Sequence, residues 1–493
     1  MPKIEMKDMV VLLPGVMGSV LQKNGEDIWN ISVEALWRGT REIVSRRSLL
    51  EELTLQEDYP ERDYLDDGIR ATNLIQDARL VPGFFKVDGY SFIRTQLIKD
   101  FNITPGKVDE DKRANFFEFP YDWRRDNRVA ARLLKKLIDQ KLPRWQEIHP
   151  GAKVILIAHS MGGLVARYYL EHLGGAEHCK ALITLGTPYR GSVKILNYLA
   201  NGCRKRPLPE LTEVVRSFTS AYQLLPMYPM VNVDGNWQRV AEADGIPGVV
   251  KERAIQGREF LLSLNQSTAP YILKPLIGIG QKKTLQSAKL SNGRLEVSNK
   301  ELPSHPSNQQ PLSPSYATGD DTVPKLSATP IDLDGKLQNF PLVECHGSLQ
   351  CNKQVWNVLK SYLEELQEGT TQDFTNPNMA PEDKEPPGIS LDIDDLYLPD
   401  EPVKLRAEII NVEPETLNST GNFGGLNAII TPVRVSGEQE EVETDFKQEE
   451  DTRYVLTLDP TVLAPGLYRL TVETGKSPAQ APKPVHDLFQ VMG

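Results

Sequence analysis

Residues 153–173 read KVILIAHSMGGLVARYYLEHL, and this stretch decides the fold. Its apolar run over residues 154–158 predicts a strand buried on both faces, as in a parallel sheet covered by helices. Residues 164–173 then place apolar side chains at helical spacing, and a Gly-Gly pair ends the helix. The stretch therefore predicts a strand, a tight turn and a helix, with Ser160 on the turn.

Ser160 lies where a nucleophile elbow carries its serine. In that motif the turn is strained, and the residues two before and two after the serine must be small so that the two backbones can approach. Ala158 and Gly162 meet this requirement, although the usual first glycine is an alanine here. A serine in an ordinary strand-to-helix loop is the alternative. We favour a nucleophile because a strand precedes the turn and a helix follows it.

The composition is that of a soluble globular protein with more than one core. The chain has 493 residues, of which 40% are hydrophobic and 25% are charged, and this length favours two domains. The net charge of −11 disfavours nucleic acid as a partner and gives no electrostatic reason to bind an anionic membrane. No apolar run approaches the roughly 20 residues of a membrane-spanning helix.

Cysteine usage and the N-terminus bear on compartment and cofactors. The four cysteines show neither metal-ligand spacing nor a disulfide framework, which fits a reducing compartment. The apolar stretch MVVLL at residues 9–13 is better used as a first core strand than as part of a signal peptide. We therefore expect no metal or cofactor, and a cytoplasmic protein that can make transient contact with membrane surfaces.

The loop PGVMGS at residues 14–19 follows the first predicted strand. Loops at the carboxyl ends of strands line the active face of an open α/β sheet. This loop could cradle a phosphate or offer backbone N–H groups to an oxyanion, but it lacks the lysine and the full glycine spacing of a phosphate loop. A serine nucleophile needs oxyanion donors. We therefore predict that the amides of Val16 and Met161 form an oxyanion hole.

A serine nucleophile also needs a base and a carboxylate that orients the base. In this fold class the chain order is serine, acid, histidine. The turn GDDTVP at residues 319–324 offers the acid, and only His346 and His486 of the seven histidines follow it. His346, in the next strand-loop unit, is the better placed. The alternative is an exposed turn whose aspartates cap backbone N–H groups.

Seven motifs follow one another between Met9 and Leu366: LLPGVMGS, VPGFFK, FPYDWR, AHSMGG, LGTPYRGS, GDDTVP and CHGSL. This ordered set resembles the lecithin:cholesterol acyltransferase family, which includes lysosomal phospholipase A2 and phospholipid:diacylglycerol acyltransferases. The resemblance implies an α/β-hydrolase fold, with a mostly parallel sheet and with cap and lid insertions. It also implies a triad that attacks acyl esters of lipids, with Ser160 as nucleophile, Asp320 as acid and His346 as base.

The chain departs from the family in three respects: Ala158 replaces a glycine, the secretory signal of the animal members is absent, and their lid disulfide cannot be placed. The family's lid region corresponds to the loop after Gly191. Within it the basic segment NGCRKRPLP at residues 201–209 is either a lid or a solvated surface loop. The cluster YDWR at residues 121–124 is interpreted as structural and not catalytic, with an arginine that pairs with a carboxylate under an aromatic ring.

A second domain follows the hydrolase domain, which we assign to residues 1–368. Residues 369–388 form a proline-rich linker. In the remaining residues, 389–493, apolar and polar side chains alternate over 403–409 and over 468–473, which predicts half-buried strands. We expect an antiparallel β-sandwich similar to immunoglobulin-like modules, which usually bind or pack rather than catalyse.

The residues and the resemblance together predict an enzyme. We expect serine-dependent acyl transfer on lipid esters, as an O-acyltransferase or a phospholipase or lipase-type esterase, with a lipid ester as the partner. Transfer to an alcohol and hydrolysis by water both remain open. The alternative is a catalytically inert scaffold or binding protein that acts through the C-terminal sandwich on an unnamed protein partner. The complete set of Ser160, Asp320 and His346 argues against that alternative.

Overall fold

The structure is a computed structural model, and it describes residues 3–30, 51–82, 85–202, 211–265, 271–300, 302, 316, 318–333, 342–369, 385–412, 425–475 and 481–492. Three of the predicted features lie partly outside these residues. They are the candidate lid at 201–209, the linker at 369–388 and the VPGFFK motif at 81–86.

A six-stranded sheet forms the centre of the larger unit, and every neighbouring pair in it is parallel. Its strands are β1 (Met9–Leu13), β2 (Pro105–Gly106), β3 (Phe116–Glu118), β4 (Val154–His159), β5 (Cys179–Leu185) and β6 (Ile272–Leu276). The spatial order is β6-β5-β4-β1-β3-β2. All residues of β1 and β4 are buried, as their apolar runs predict. This parallel sheet, with a serine elbow after its central strand, is an α/β-hydrolase-like fold, as expected.

The strand register brings the predicted loops together. Leu13 at the end of β1 pairs with Ala158 of β4, and His159 pairs with Leu185 at the end of β5. The three central strands therefore end at one edge of the sheet. The loops that follow them, which carry Val16, Ser160 and the LGTPYRGS motif, meet at that edge, as the carboxyl ends of parallel strands do.

Helices cover the sheet and link its strands. They are α1 (Ser91–Asp100), α2 (Asn127–Gln146), α3 (Gly162–His172), α4 (Val193–Asn201), α5 (Thr212–Ser217), α6 (Thr219–Tyr222), α7 (Lys251–Ser263), α8 (Lys325–Ala328) and α9 (Lys353–Glu368). Short 3-10 turns span Gly175–Glu177, Ile331–Leu333 and His346–Cys351. Over the described ranges, we find no helix with the length and apolar character needed to cross a bilayer.

Smaller sheets surround the centre. Antiparallel groups contain Ser19–Lys23, Glu26–Trp29 and Ile69–Leu74, and the hairpin of Arg79–Val81 with Phe85–Val87. A four-stranded group contains Val231–Val233, Asn236–Gln238, Ser287–Ser291 and Arg294–Ser298. Its last two strands form a hairpin around Asn292 and Gly293, both with positive φ, as this dipeptide predicts. Short parallel pairs join Ile4–Glu5 to Phe101–Asn102, and Gly278–Ile279 to Leu342–Val343.

The apolar residues 276–279 predict the next strand of the sheet, but the observed strand begins four residues earlier, at Ile272. The strand that pairs with β5 is β6, and only the short continuation Gly278–Ile279 falls in the predicted range. Lys274 and Pro275 interrupt the apolar pattern of β6, so the sequence pattern does not indicate a strand there. Proline is tolerated there because β6 is the edge strand of the six-stranded sheet.

The C-terminal unit consists of strands in two sheets. The strands are β7 (Gly388–Asp392), β8 (Leu396–Tyr397), β9 (Val403–Ile410), β10 (Leu426–Val435), β11 (Val442–Asp445), β12 (Lys447–Gln448), β13 (Arg453–Leu458), β14 (Gly466–Thr474) and β15 (Val485–Val491). One sheet has the order β7-β9-β13-β12 and the other β8-β15-β14-β10-β11. Buried side chains from both sheets, such as Leu405 and Leu470, share one apolar cluster.

The YDWR cluster makes structural contacts, as interpreted. Arg124 is fully buried, and its guanidinium bonds to the carboxylate of Asp122 at 2.6 Å and to that of Asp67 at 2.9 Å. The indole of Trp123 donates to the carbonyl of Ser19 at 3.0 Å. These contacts join the segment after β3 to the residues around Asp67 and to the strand Ser19–Lys23.

Candidate active site

Ser160 occupies a strained turn between β4 and α3. Its φ is +52°, in the left-handed region that a residue with a side chain seldom adopts. Neighbouring backbone holds it there: the amide of Ser160 donates to the carbonyl of Leu185 at 2.8 Å, and Thr187 Oγ1 donates to the carbonyl of Ser160 at 2.8 Å. The strained conformation is that of a nucleophile elbow, which turns the serine hydroxyl outward from the end of the sheet.

The small residues around the serine are needed for close packing. A Cβ on Gly162 would lie 2.5 Å from the carbonyl oxygen of Pro14, and one on Gly15 would lie 2.8 Å from the Cβ of Ser160. Either contact is too close, so a side chain at these positions would push the β1 loop away from the elbow. Ala158 is fully buried within β4 and fits without a glycine.

The structure brings Ser160, His346 and Asp320 into one hydrogen-bonded path. The Oγ of Ser160 is 2.8 Å from Nε2 of His346, and Nδ1 of His346 is 2.7 Å from Oδ2 of Asp320. Asp320 is fully buried, and its other carboxylate oxygen accepts the amides of Thr322 at 3.1 Å and Val323 at 2.7 Å. A neutral imidazole with its proton on Nδ1 can donate to the carboxylate while Nε2 accepts the serine proton.

The two aspartates of the GDDTVP turn have separate partners. Asp321 pairs with Nζ of Lys194 at 3.0 Å and with Nζ of Lys283 at 3.7 Å. Burial alone would raise the pKa of Asp321, but Lys194 and Lys283 outweigh this effect and lower it. The geometry thus gives the first aspartate, not the second, to the histidine.

The predicted oxyanion donors lie beside the serine. Met161 follows Ser160 directly and caps α3, while Val16 lines the same cavity as Ser160. Among the described residues, the amides of Val16 and Met161 donate to no backbone carbonyl of another loop, helix or strand. Their role as oxyanion donors remains a prediction.

His486, the other histidine after the acid, pairs with Glu344, and His346 is the histidine that bonds to Ser160. Nδ1 of His486 is 2.7 Å from Oε2 of Glu344, and the amide of His486 donates to Oε1 of the same carboxylate at 2.9 Å. Burial acts to lower the pKa of His486, but Glu344 outweighs it and the pKa is raised from 6.5. His486 therefore ties the last C-terminal strand to the segment that carries His346.

The cavity beside Ser160 has one apolar and one charged wall. It encloses about 80 Å³. The apolar wall contains Val16, Met17, Phe85, Pro188, Ile195, Tyr198, Val215, Phe218, Ala221 and Leu224; the charged wall contains Lys86, Lys194, Asp321, Asp395 and Asp487. A larger cleft of about 1110 Å³ lies near Arg128 and Tyr222, but Ser160 is not in its wall.

The charged wall joins the two units of the chain. Nζ of Lys86 is 2.8 Å from Oδ1 of Asp487 and 2.8 Å from Oδ1 of Asp395, both from the C-terminal unit. Burial disfavours the ammonium form, but these carboxylates outweigh it and raise the pKa of Lys86. The pKa of Asp395 is correspondingly lowered, because Lys86 and Lys283 outweigh the effect of burial. Sequence patterns had not indicated this wall, since its members are distant in the chain.

No metal centre is evident in the part of the chain that the structure describes, since no three His, Cys, Asp or Glu side chains cluster to hold an ion. Of the four cysteines, Cys179, Cys345 and Cys351 are free thiols, and Cys203 lies outside the described residues.

Comparison with known proteins places the larger unit in context. Residues 101–266 match the family model described as lecithin:cholesterol acyltransferase. This range contains Ser160 and ends before Asp320 and His346. The human protein named lysosomal phospholipase A and acyltransferase is 34% identical over 118 residues, which are 22% of this chain and 27% of that protein. The chicken phosphatidylcholine-sterol acyltransferase is 37% identical over 89 residues, 17% of this chain and 20% of that protein.

The matches thus span about a quarter of the length of these relatives. Among solved structures, the lipase BlEst2 of Bacillus licheniformis aligns with 99% of this chain and 95% of its own, at 11% identity and a TM-score of 0.29. The fold assignment therefore rests on the strand order and the elbow of this chain. The match of residues 101–266 to the lecithin:cholesterol acyltransferase family model confirms the resemblance predicted from the motifs.

Proposed function

We propose that this chain is a serine-dependent enzyme that transfers acyl groups from lipid esters to an alcohol or to water through an acyl-serine intermediate. One observation carries the proposal: a hydrogen-bonded path runs from Ser160 through His346 to Asp320 at the wall of a partly apolar cavity. The match of residues 101–266 to the acyltransferase family supports lipid esters as the substrates. The human relative is named as both a phospholipase and an acyltransferase, and the chicken relative as an acyltransferase, so these names agree with hydrolysis and with transfer.

In the first step, Oγ of Ser160 forms a bond to the ester carbonyl carbon while Nε2 of His346 accepts the hydroxyl proton. The carbonyl oxygen becomes an oxyanion, to which the amides of Val16 and Met161 donate hydrogen bonds. Asp320 stays ionised and stabilises the imidazolium through Nδ1. The bond from the carbonyl carbon to the alcohol oxygen then breaks, and His346 gives its proton to that oxygen.

In the second step, a water molecule or an alcohol attacks the acyl-serine, with His346 again accepting and returning the proton. Water gives a free acid, and an alcohol gives a new ester. The balance depends on how well the site excludes water and orients the acceptor. The small volume of the cavity, about 80 Å³ against the several hundred of typical ligand pockets, limits what enters it without rearrangement. We therefore expect short-chain esters to be the most accessible first substrates.

The C-terminal strands are proposed to form an accessory β-sandwich of immunoglobulin-like type. Asp395 and Asp487 contribute to the wall of the cavity that contains Ser160, which favours one catalytic unit over an inert hydrolase with an independent binding module. Lys86 pairs with both carboxylates, and Leu80 shares an apolar cluster with Leu488, so the contact between the units is both ionic and apolar.

We propose a cytoplasmic location with transient membrane contact, on the basis of the free thiols and the acidic composition. The mammalian relatives are named as lysosomal proteins, so the location needs its own measurement. Fractionation of cells that express the tagged chain should recover it in the cytosolic fraction at physiological salt. Recovery with lysosomal markers would contradict this proposal.

The test of the enzymatic proposal is acyl release and transfer from vesicles that contain phospholipid and neutral esters, with and without a sterol or diacylglycerol. A soluble short-chain ester is assayed in parallel. Replacing Ser160 by alanine should lower turnover on the order of 10⁶-fold, because the nucleophile is lost. The ratio of new ester to free acid then separates transfer from hydrolysis.

Ser192→Ala is the matched control. Ser192 is also buried and lines the same cavity, but its hydroxyl donates to the carbonyl of Thr322 and does not reach His346. We expect this variant to keep turnover within about tenfold of wild type, the cost of one hydrogen bond. Equal activity of wild type and Ser160→Ala would disprove Ser160 as the nucleophile.

A further inference from the structure

Two buried side chains, Tyr90 and His159, connect the three loops that surround the serine. Tyr90 precedes α1 and is fully buried, and His159 is the last residue of β4 and is 3% exposed. The amide of Gly15 donates to Oη of Tyr90 at 2.9 Å, and Oη lies 2.8 Å from Nδ1 of His159. Nε2 of His159 lies 3.0 Å from the carbonyl oxygen of His346.

Chemistry fixes the direction of each hydrogen bond in this path. A carbonyl oxygen only accepts, so Nε2 of His159 carries a proton and donates to His346. Burial, together with the nearby His346, lowers the pKa of His159 to about 3, so the ring is neutral and its Nδ1 accepts. Tyr90 must therefore donate to Nδ1 and accept from Gly15. Only one set of donors and acceptors therefore satisfies all three hydrogen bonds: Gly15 donates to Tyr90, Tyr90 donates to His159, and His159 donates to the backbone of His346.

We propose that Tyr90 and His159 are positioning residues that align the oxyanion loop and the catalytic histidine with Ser160. This inference rests on the proposed function. Gly15 precedes Val16, the predicted oxyanion donor, so the hydroxyl of Tyr90 sets the position of the peptide next to the donor. His159 precedes Ser160 and holds the backbone of His346. One path therefore spans the oxyanion loop, the nucleophile and the base.

The loop has a second, separate attachment that allows a clean test. Oη of Tyr121 donates to the carbonyl of Pro14 at 2.8 Å, and the amide of Gly18 donates to the carbonyl of Gly15 at 3.1 Å. Loss of the Tyr90 hydroxyl therefore leaves the loop folded but its Gly15 amide without a partner. Misplacement of an oxyanion donor by a fraction of an ångström weakens transition-state binding more than substrate binding.

The experiment compares Tyr90→Phe with wild type on a soluble short-chain ester. It measures kcat, KM and the inhibition constant of a trifluoromethyl ketone, whose carbonyl carbon bonds to the serine and whose oxygen then occupies the oxyanion position. We expect kcat to fall about tenfold with KM within twofold, and the inhibition constant to rise by the same factor as kcat falls. A merely structural role would lower the fraction of active protein without changing the inhibition constant of the remainder.

Tyr468→Phe is the matched control, because Tyr468 is also fully buried and its hydroxyl donates to one carbonyl, that of Ala464, within the C-terminal unit. Its kinetic constants should match those of wild type. A Tyr90→Phe enzyme with wild-type kcat and inhibition constant overturns the inference alone. A wild-type protein that neither cleaves esters nor binds the ketone overturns the proposed function, and this inference with it.

Discussion

Ser160 and His346 are 2.8 Å apart, yet different parts of the chain hold them. Ser160 is held by its own sheet, through the carbonyl of Leu185 and the hydroxyl of Thr187. His346 begins a 3-10 turn that is fastened by the C-terminal unit. The family match at residues 101–266 covers the first arrangement and not the second. The nucleophile is thus part of a local strand-turn-helix unit, whereas the base depends on contacts between distant segments.

Glu344 is the centre of the second arrangement. It is fully buried, and its carboxylate accepts hydrogen bonds from the amide of Cys345, Nδ2 of Asn352, and both the amide and the ring of His486. Asn352 in turn caps α9. One carboxylate two residues before His346 therefore joins three parts of the chain. They are the residues around His346, called here the base segment, the last helix of the larger unit and β15.

A second contact binds the same segment. The amide of Asp88 donates to the carbonyl of Gly347 at 2.8 Å, and the Asp88 carboxylate accepts Nε of Arg469 at 3.0 Å from β14. Lys86, two residues earlier, pairs with Asp487 of β15. The hairpin that carries Lys86 thus lies between the base segment and the C-terminal sheet, and disturbance of that sheet should reach His346 before it reaches Ser160.

The largest expected effect separates the two adjacent aspartates. Asp320→Asn should lower kcat about 10⁴-fold, because an amide no longer holds the Nδ1 tautomer of His346 or stabilises the imidazolium. Asp321→Asn is the matched control, since this carboxylate bonds to Lys194 instead, and it should lower kcat by less than about tenfold. Steady-state kinetics on a short-chain ester measures both. A greater loss from Asp321→Asn would assign the acid to the second aspartate.

Next comes the carboxylate that couples the base segment to β15. Glu344→Gln should lower the free energy of unfolding by about 3 kcal/mol, because His486 and Asn352 lose a buried charged acceptor. Denaturant titration measures the change. Glu408→Gln, which removes the pair with the half-exposed Lys282, should cost less than about 1 kcal/mol. If both variants are equally stable, the base segment does not depend on the C-terminal unit, and the comparison fails.

A smaller effect is the pH dependence of that contact. Because the pKa of His486 is raised in the folded protein, its stabilising contribution is complete below about pH 6.5 and is lost as the pH rises through the folded value. The nearby charges are Glu344 and Asp88, which raise the pKa, and Arg469, which lowers it. The free energy of unfolding of wild type minus that of His486→Gln should therefore fall above pH 6.5, by at most about 1.4 kcal/mol per pH unit. A difference that grows with pH would contradict the assigned contact.

The same comparison explains what sequence alone could predict. The strands β1 and β4 and the elbow were predicted because continuous apolar runs, helical spacing and small turn residues are all local signals. The triad was assembled from chain order and motif resemblance, and the structure brings its three side chains together. The edge strand β6 was misplaced because Pro275 breaks a pattern that an edge position tolerates.

The charged wall and the contacts of His486 carried no such signal. Lys86 and Asp487 are 401 residues apart, and each alone has the pattern of an ordinary surface charge. Their burial arises only when the C-terminal sheet packs on the larger unit. Tyr90 is similar: it lies 75 residues from Gly15, and no spacing rule relates a tyrosine before a helix to a glycine in a distant loop.

The smallest expected effect concerns Ala158, where the family has glycine. Because Ala158 is buried in β4 and the elbow is complete around it, Ala158→Gly should leave kcat within about twofold and lower the free energy of unfolding by about 0.5 kcal/mol, the usual cost of glycine in a strand. Gly162→Ala is the contrasting variant, since its Cβ would lie 2.5 Å from the carbonyl of Pro14. It should lower kcat far more than Ala158→Gly does, with kinetics and denaturant titration as the measurements. A gain in kcat for Ala158→Gly would show that the alanine strains the elbow. The local hydrogen bonds of Ser160 would then not be sufficient to set its best position.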